Sequence, residues 1–354
     1  MSDKTQMAPG LVSVVICAWN NWPDVEMTIE SALHQSYQPL EVIVVDNSST
    51  DATPEEIPRR FGDSVRYIRQ PNRDTAGAYN AGFEVARGEF IQFLDGDDVL
   101  APNKLEKQIQ VFRANPALEI VYGDIGVFQT SAGAASWNVI PTRMEEDMLR
   151  VVLSSQVGIC TDLGMLFHRR ALEKVGPWDE NLYVEDLDYL LRAAWAGCRF
   201  GHCPGGPLGF ARIRPDAKTQ NASAMDLGNE AVWNKALGYV THEPYRSLLA
   251  AKLAHLRLHM ALSSDPMTAQ EALSKLALAR ATSPETIPAL TYAAAWVVVI
   301  LPGGRYLARL PWLRRMRRIL TRLLPYRSRT TPVVKTERTA RTLSEARCDR
   351  KKVR

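Results

Sequence analysis

Acidic side chains directly follow two apolar runs in the first third of the chain. Asp46 comes after the run EVIVV, and three carboxylates, Asp95, Asp97 and Asp98, come after the run FIQFL. If both runs are strands of one open α/β sheet, their carboxyl ends meet at the edge where such sheets bind ligands. The carboxylates would then surround one crevice. Asp46 alone is equally well explained as a turn residue, because Asp, Asn and Ser follow one another there.

The cluster at residues 95–98 indicates a specific chemistry. Three carboxylates within four residues repel one another, and a turn needs one aspartate rather than three. A hard divalent cation would offset this repulsion, because Mg²⁺ in proteins takes one or two carboxylates together with phosphate oxygens. We therefore predict a site for Mg²⁺ or Mn²⁺ and a diphosphate group at this position. An exposed acidic turn is the alternative.

The elements that would position these residues alternate between strands and helices. Apolar β-branched runs predict strands, and apolar residues at helical spacing predict helices. The predicted strands are Leu11–Cys17, Glu41–Val45, Val65–Ile68, Phe90–Leu94, Glu119–Tyr122 and Gly164–Phe167, and the predicted helices are Asp24–Ser36, Thr75–Ala86, Pro102–Phe112 and Glu185–Ala196. Thr130–Ser136, rich in small residues, predicts a flexible loop. The alternation indicates an α/β layer fold with a largely parallel sheet.

Two segments of this region carry a resemblance to a known family. They read VSVVICAWNNWPDVEMTIESALHQSYQPLEVIVVDNSSTDAT and PNRDTAGAYNAGFEVARGEFIQFLDGDDVLAP. Together they resemble glycosyltransferase family two, whose members are inverting enzymes with the GT-A fold, and the resemblance covers roughly residues 11–215. It implies that residues 11–223 form a GT-A glycosyltransferase domain, a Rossmann-like αβα sandwich with a mixed central sheet. A helical region would follow this domain.

The resemblance assigns several residues to a nucleotide-sugar donor. It implies that Asp46 holds the nucleobase or ribose, and that Ala18, at the end of the first strand, lies beside the nucleoside. Ser49 and Asp51 belong to the same loop as Asp46 and are also expected to contact the donor. Asn80 matches the asparagine of the helix that packs behind the diphosphate in this family.

The resemblance also assigns the metal site, with two departures from the family pattern. Asp95 and Asp97 form the Asp-x-Asp motif, in which Asp97 would bind the cation directly and Asp95 would contact the ribose or a metal-bound water. Members often carry a histidine near the metal where this chain has Arg214, and a guanidinium cannot bind a cation. Arg214 and the neighbouring Arg212 are instead expected to hold the donor diphosphate. The second departure is Tyr79, where many members have arginine.

A catalytic base is expected in the second half of the chain. The segment VEDLDYLLR looks like the family's Glu-Asp helix start, which implies Asp186 as the base and Glu185 as the competing candidate. A hydroxyl is a poor nucleophile near pH 7, so a carboxylate must take its proton as it attacks. Acidic residues in a first helical turn also favour the helix dipole without any catalytic role.

The resemblance implies inverting transfer of a sugar, with a UDP-sugar as the expected donor. The acceptor would be a hydroxyl of a saccharide or of a lipid-linked acceptor, in surface polysaccharide or glycolipid assembly. One alternative is a catalytically inactive protein of the same fold that binds nucleotide-sugars, which Arg214 makes conceivable. Another is a sugar-phosphate nucleotidyltransferase, although the loop AWNNW lacks the Gly-rich, basic sequence that such an enzyme needs. The same loop argues against ordinary NAD binding, and no P-loop signature occurs.

Charge is distributed unevenly along the chain. Residues 303–354 hold 17 Lys and Arg against 3 Asp and Glu, a net charge of +14 in a chain whose total is +4, so residues 1–302 carry −10. A basic tail favours an anionic partner, either nucleic acid or a membrane surface. We favour the anionic membrane surface and expect no nucleic acid, because the basic residues lie in an amphipathic pattern.

That amphipathic pattern occupies Arg305–Leu324, where arginines interleave with Leu, Trp and Ile, as in a helix that lies in a membrane interface. The preceding apolar stretch, Ile287–Leu301, is shorter than the roughly 18–20 residues that a spanning helix needs. We predict that residues 224–327 form a helical C-terminal region containing the interfacial segment, and that residues 328–354 form a disordered basic tail. A helix packed on the catalytic domain is the alternative for the basic segment.

Cysteine usage and the first residues bear on the compartment. The five cysteines are scattered and form no C-x-x-C pair, so neither a zinc site nor a disulfide framework is indicated, and a reducing compartment fits best. Met1–Gly10 lacks the apolar core of a signal peptide. We therefore expect a cytoplasmic protein that is peripheral on the inner face of the cell membrane.

Overall fold

The computed structural model describes residues 6–128, 130–131, 134–135, 138–140, 147–154, 162–262 and 268–287, together with residues 292, 295 and 334–335. The strands in these ranges are β1 (Ala8–Ala18), β2 (Leu40–Asp46), β3 (Arg66–Arg69), β4 (Gly88–Asp95), β5 (Val99–Leu100), β6 (Ile120–Gly123), β7 (Ile125–Phe128), β8 (Thr130–Ser131), β9 (Ala134–Ala135), β10 (Asn138–Ile140), β11 (Met165–His168), β12 (Phe200–Cys203), β13 (Gly209–Arg212) and β14 (Val334–Lys335). The α-helices are α1 (Asp24–Leu33), α2 (Thr53–Phe61), α3 (Asp74–Val85), α4 (Lys104–Ala114), α5 (Met148–Ser154), α6 (Arg169–Val175), α7 (Glu185–Trp195), α8 (Ala222–Tyr239), α9 (Tyr245–Leu262) and α10 (Ala269–Thr282). Short 3₁₀ helices lie at Gly62–Ser64, Asp162–Gly164 and Lys218–Gln220.

A seven-stranded sheet with the order β12-β6-β11-β4-β1-β2-β3 forms the centre of the fold. Strand β1 pairs in parallel with both β2 and β4, and β2 pairs in parallel with β3. Strand β11 runs antiparallel to its neighbours β4 and β6, whereas β12 is parallel to β6. The sheet is therefore mixed, as the sequence predicts, because β11 returns in the opposite direction.

A second, smaller sheet has the strand order β14-β10-β7-β13-β5. It places strands from the middle of the chain beside the acidic cluster at residues 95–98. In this sheet β13 pairs in parallel with β7 and antiparallel with β5, the strand just after residues 95–98. This pairing places the arginines at the end of β13 beside the cluster. Strand β14 pairs antiparallel with β10, and the rest of residues 328–354, predicted to be disordered, lies outside the described residues.

Helices cover both faces of the central sheet, so β1, β2 and β4 are buried on both sides. On β1, Val15 and Cys17 belong to one core with residues of α3 and α7, whereas Val14 and Ile16 belong to a second core with residues of α1 and α4. Continuous apolar runs of this kind are expected for parallel strands between two helical layers. The predicted αβα sandwich is confirmed.

The C-terminal helices extend the first of these cores. Val232 and Trp233 of α8 and Leu253 of α9 pack in the same cluster as the sheet residues. Helix α10 packs on α9 in a separate cluster that also contains Ile287 and Ala295, the buried residues of the apolar stretch that the structure describes. The basic segment at 305–324 lies outside the described residues. No helix within the described ranges is long and apolar enough to cross a membrane.

The predicted strands and helices are present, with ends that differ by up to three residues. Three helices were not predicted: α2, which contains Pro58 inside an otherwise polar sequence, and the short helices α5 and α6. The prediction of a flexible loop at Thr130–Ser136 is wrong for its described residues, which form the antiparallel pair β8 and β9. Small residues permit this close pairing although they do not signal it.

A fully buried lysine holds the turn that leads into β11. The ammonium of Lys104 on α4 donates to the side-chain oxygens of Gln92 and Gln108, and to the main-chain oxygen of Met165 at 3.1 Å. The amide of Gln108 donates to the main-chain oxygen of Gly164 at 3.0 Å. Buried polar groups need such partners, because an unmade hydrogen bond in the interior costs about 1–3 kcal/mol.

Substitution of this lysine should therefore lower stability. We expect Lys104→Met to reduce the free energy of unfolding by about 2 kcal/mol, because the apolar side chain fills the volume but leaves buried oxygens without a donor. Urea denaturation followed by circular dichroism measures the change. Lys107→Met on the same helix is the control, since Lys107 donates one hydrogen bond at a partly exposed position, to Gly205. Equal effects of the two substitutions would contradict the prediction.

Candidate active site

The registers of β1 with its two neighbours bring the predicted acidic residues together. Ala18 is paired with Asp46 on β2, and Cys17 is paired with Asp95 on β4. Asp46 and Asp95 therefore flank the carboxyl end of β1, as the sequence predicts for parallel strands. Burial and the charges of Asp95 and two further carboxylates raise the pKa of the Cys17 thiol well above its ordinary value, so this cysteine is a neutral, inert wall of the site.

Asp46 supports the loop that follows β2. Its carboxylate is fully buried and accepts hydrogen bonds from the main-chain nitrogen of Ser49 at 2.8 Å and from the Tyr67 hydroxyl at 2.6 Å. Arg69 lies 3.6 Å from the same carboxylate. Burial and the bond to Asp46 raise the pKa of Tyr67 above its usual range, which keeps the hydroxyl protonated. Asp46 thus fixes the conformation of this loop from a buried position.

The loops after β1 and β2 are locked to each other by hydrogen bonds. The main-chain nitrogen of Asn20 donates to the Ser49 hydroxyl at 3.0 Å, and the main-chain nitrogen of Trp22 donates to Asp51 at 2.9 Å. Partial burial acts to raise the pKa of Asp51. Hydrogen bonds from Thr53 and from the main chain of Trp22 outweigh that effect, and the pKa is lowered. Ala18 and Ser49 are fully buried, so they belong to this support.

One residue of the β1 loop that sequence reasoning missed is Trp19. Its side chain is 56% exposed, which is unusual for tryptophan, and it directly follows the end of β1. An exposed aromatic ring offers a flat apolar surface for stacking with a planar ligand. The signal in the sequence was the aromatic residue immediately after a buried strand.

Asp95 is the predicted metal-site residue most tightly positioned by its neighbours. The Tyr79 hydroxyl donates to its carboxylate at 2.9 Å, and the carboxylate remains accessible from the crevice. The surrounding protein and the negative charge of Asp97 raise the pKa of Asp95 to about 6. Gly96 permits the turn, because a Cβ there would lie 2.1 Å from the side-chain nitrogen of Asn21 and 2.5 Å from the main-chain oxygen of Cys17.

Asp97 and Asp98 face different partners. Asp97 pairs with Arg214, whose Nε lies 3.1 Å from its carboxylate. Burial raises the pKa of Asp97, and the charge of Arg214 opposes that shift. Asp98 accepts the main-chain nitrogen of Arg212 at 2.9 Å, and burial together with Asp95 and Asp97 raises its pKa well above the ordinary value. Asp98 therefore joins the turn to β13.

Arg212 does not face the crevice, in contrast to the expectation that it holds the diphosphate. Its side chain is 3% exposed and lies 3.4 Å from Asp24 and over the ring of Phe128. Its Nε donates to the main-chain oxygen of Asp97 at 3.1 Å. The guanidinium is committed to holding the acidic turn between α1 and β13. Arg214 is one third exposed and pairs with Asp97, and its contact with the diphosphate stays a prediction.

The Glu-Asp pair begins α7 and reaches the same crevice. Glu185 is paired with Lys218, whose Nζ lies 3.0 Å from its carboxylate and 3.4 Å from Asp74. Burial and the charge of Asp186 raise the pKa of Glu185 to about 7. Burial also raises the pKa of Asp186, which accepts the main-chain nitrogen of Leu187 at 2.7 Å. The charge of Asp186 contributes to the raised pKa of Asp95, so the two motifs are neighbours.

Asn80 positions the segment before α7. Its amide nitrogen donates to the main-chain oxygen of Trp178 and to Glu180, each at 3.0 Å. Its amide oxygen accepts the main-chain nitrogen of Trp178 at 2.9 Å. The Trp178 ring stacks on Tyr189 with the centroids 4.1 Å apart. Asn80 thus supports the start of the Glu-Asp helix, and its contact with the donor stays a prediction.

The residues present fit a divalent cation whose coordination is completed by oxygen atoms of a bound ligand. Within the described ranges, no three His, Cys, Asp or Glu side chains gather into a metal site of their own. Asp95 and Asp97 supply carboxylate oxygens, which Mg²⁺ and Mn²⁺ prefer, and Mg²⁺ sites commonly combine one or two carboxylates with substrate phosphates. Burial raises the pKa of both carboxyls, and a bound cation would stabilise their charged forms.

Comparison with known proteins shows sequence similarity over the sheet domain. Residues 13–176 match the family model Glycosyl transferase family 2. An uncharacterized glycosyltransferase of Nostoc sp., alr2836, is 32% identical over 176 residues, which are 48% of this chain and 54% of that protein. The succinoglycan biosynthesis protein ExoO of Rhizobium meliloti is 33% identical over 208 residues, 55% of this chain and 58% of that protein. The chain thus spans little more than half the length of these relatives.

Solved structures share the fold over most of the chain. S. aureus TarS 1–349 in complex with UDP-GlcNAc has a TM-score of 0.57 at 16% identity, covering 81% of this chain and 90% of that one. The mannosyltransferase PcManGT from Pyrobaculum calidifontis, in complex with GDP-Man and Mn²⁺, has a TM-score of 0.52 at 20% identity, covering 89% and 85%. The predicted GT-A fold is confirmed by these likenesses.

Removal of one carboxylate from the crevice should stabilise the protein in a pH-dependent way. The pKa of Glu185 is about 7 in the folded chain against an ordinary 4.5, so its contribution to stability is present below about pH 4.5 and is lost as the pH rises through 7. We expect Glu185→Gln to leave stability unchanged near pH 4 and to raise the free energy of unfolding at pH 8 by about 2 kcal/mol.

Urea denaturation of the wild type and the variant at pH 4, 6 and 8 measures this difference. The expected gain is smaller than the full shift, because Lys218 loses its partner. Glu173→Gln, an exposed glutamate on α6, is the control and should give parallel curves at all three pH values. A destabilised Glu185→Gln at pH 8 would show that the ion pair with Lys218 outweighs the repulsion in the crevice.

Proposed function

We propose that this chain, whose residues 13–176 match the family model Glycosyl transferase family 2, transfers a sugar from a nucleotide-sugar to an acceptor hydroxyl with inversion at the anomeric carbon. One arrangement carries the proposal: Lys218 joins Glu185 to Asp74 at the start of α3, and Tyr79 of the same helix holds Asp95, so the Glu-Asp helix lies close to the Asp-x-Asp turn. A cation–diphosphate site and a carboxylate base are the two parts that a single displacement requires. The family match favours this over the nucleotidyltransferase alternative.

In this proposal Asp186 takes the proton of the attacking hydroxyl. Glu185 is the weaker candidate, because its carboxylate already pairs with Lys218. The environment raises the pKa of Asp186, which makes its carboxylate a stronger base and brings it nearer to the working pH. Direct attack with one base on the face opposite the leaving group inverts the reacting carbon.

The donor would lie between the two locked loops and the acidic turn. Trp19 would stack with the nucleobase, Asp97 and Asp95 would hold a divalent cation, and Arg214 would contact the diphosphate. When bound, the cation stabilises the negative charge of the departing nucleoside diphosphate. TarS with UDP-GlcNAc and PcManGT with GDP-Man and Mn²⁺ support a nucleotide-sugar and a cation, and we propose a UDP-sugar.

The acceptor proposal rests on the relatives and on the basic segment. ExoO is named for succinoglycan biosynthesis, which supports a role in polysaccharide assembly. Residues 303–354 carry a net charge of +14, so they would be attracted to anionic lipids, where lipid-linked acceptors lie. We therefore propose a saccharide or lipid-linked acceptor at the inner face of the cell membrane.

Donor hydrolysis tests the reaction and separates the residue roles. We expect slow release of one nucleoside diphosphate from a panel of UDP-, GDP- and dTDP-sugars with Mn²⁺ or Mg²⁺, and none with EDTA. Asp97→Asn should lower the rate at least a hundredfold and weaken metal-dependent UDP binding, because the cation loses a ligand. Asp186→Asn should slow sugar transfer by a similar factor and leave UDP binding within twofold.

Calorimetric titration of UDP with Mn²⁺ supplies the binding values, and Asp63→Asn, an exposed aspartate away from the crevice, is the control. If no donor releases a nucleotide and no nucleotide binds with metal, the transferase proposal fails. If nucleotide-sugars bind but neither hydrolysis nor transfer occurs, and Asp186→Asn changes nothing, the catalytically inactive alternative is correct.

Membrane association is tested by flotation with vesicles. We expect the full chain to float with vesicles containing about 30% phosphatidylserine at low salt and to be released as salt rises, because roughly 1 kcal/mol per basic residue near the surface is screened. A chain without residues 303–354 should remain in the bottom fraction. Neutral phosphatidylcholine vesicles are the control for a purely apolar attachment. No flotation of the full chain with anionic vesicles would remove the membrane proposal.

A further inference from the structure

Asp162 lies in the crevice but has no part in the motifs described so far. It begins the 3₁₀ helix that leads into β11, and the antiparallel register of β11 with β4 carries this turn toward the end of β4, where Asp95 lies. The charges of Asp186, Asp95 and Glu185 all act on its carboxyl. Asp162 is therefore a neighbour of both the Asp-x-Asp turn and the candidate base.

The backbone of Asp162 is held rigidly from the interior of the protein. The amide of Gln92 donates to the main-chain oxygen of Asp162 at 3.1 Å, and Gln92 is itself held by the buried ammonium of Lys104. The same network binds the main-chain oxygens of Gly164 and Met165. Residues that contact ligands need supports of this kind, because binding geometry must be fixed before the ligand arrives.

The carboxylate of Asp162, by contrast, has no partner among the described residues. The side chain is nine-tenths buried, and no described residue donates a hydrogen bond to its carboxylate or pairs with it. Burial and the three nearby carboxylates raise its pKa well above the ordinary value. A largely buried carboxylate that accepts no hydrogen bond from the described protein is available to accept one from a ligand in the crevice.

We propose that Asp162 is a subsite for the transferred sugar and accepts a hydrogen bond from one of its ring hydroxyls. This inference rests on the proposed function. In a displacement, the transferred sugar lies between the departing diphosphate and the base, and Asp162 neighbours both Asp95 and Asp186. Loss of such a hydrogen bond weakens binding about tenfold, enough for the site to select donors that carry a hydroxyl at the contacted position.

Calorimetry with two ligands separates the sugar from the nucleotide. Wild type, Asp162→Asn and Asp162→Ala are titrated with UDP and with the preferred UDP-sugar, each with Mn²⁺. We expect both variants to bind UDP within twofold of wild type and to bind the UDP-sugar about tenfold more weakly. A deoxy-sugar donor that lacks the contacted hydroxyl should bind wild type and Asp162→Ala equally. Asp63→Asn is the control.

Two results would overturn the subsite. If both variants bind the UDP-sugar as wild type does, Asp162 does not contact the transferred sugar. If UDP and the UDP-sugar weaken together, or the thermal midpoint falls sharply in both variants, Asp162 only supports the turn. Failure of the proposed function has a different signature, because wild type itself would then bind no nucleotide-sugar and release no nucleotide.

Discussion

Mutual repulsion among carboxylates is the constraint on which this structure depends. Asp95, Asp97 and Asp186 lie at the edge of the central sheet, and the charges of Asp97 and Asp186 both raise the pKa of Asp95. Such an arrangement lowers stability, so it persists only when the surrounding fold holds it in place. The parallel registers on both sides of β1 bring the strand ends together, and the other elements keep them there.

Support comes from residues that a motif search treats as part of the site. Asn80 gives its hydrogen bonds to the segment before α7, and Arg212 holds the acidic turn against β13. Asp46 shapes the loop after β2 from a fully buried position. The carboxylates and Trp19 are thereby left to face the crevice. The motif residues thus divide into those that can touch a ligand and those that fix the geometry of the others.

The sequence predicts what is local and periodic. Strands β1 to β4, β6 and β11, most helices and the acidic residues at strand ends follow from apolar runs and from the rule that parallel strands end at one edge. Helix α2 was not predictable, because Pro58 and its polar composition contradict a helix that packing nevertheless stabilises. The pairing of Tyr79 with Asp95 and the position of Asp162 depend on contacts between distant segments, and no spacing in the chain records such contacts.

Two basic side chains partly neutralise the carboxylates of the crevice. Arg214 pairs with Asp97, and Lys218 pairs with Glu185 and Asp74. In the proposed reaction a diphosphate would compete for Arg214, because bidentate phosphate is a strong partner of guanidinium. Asp97 would then be free for the cation. Cation and nucleotide would therefore each increase the affinity for the other. The diphosphate would draw Arg214 away from the carboxylate that binds the cation, and the cation would neutralise carboxylates that repel the diphosphate.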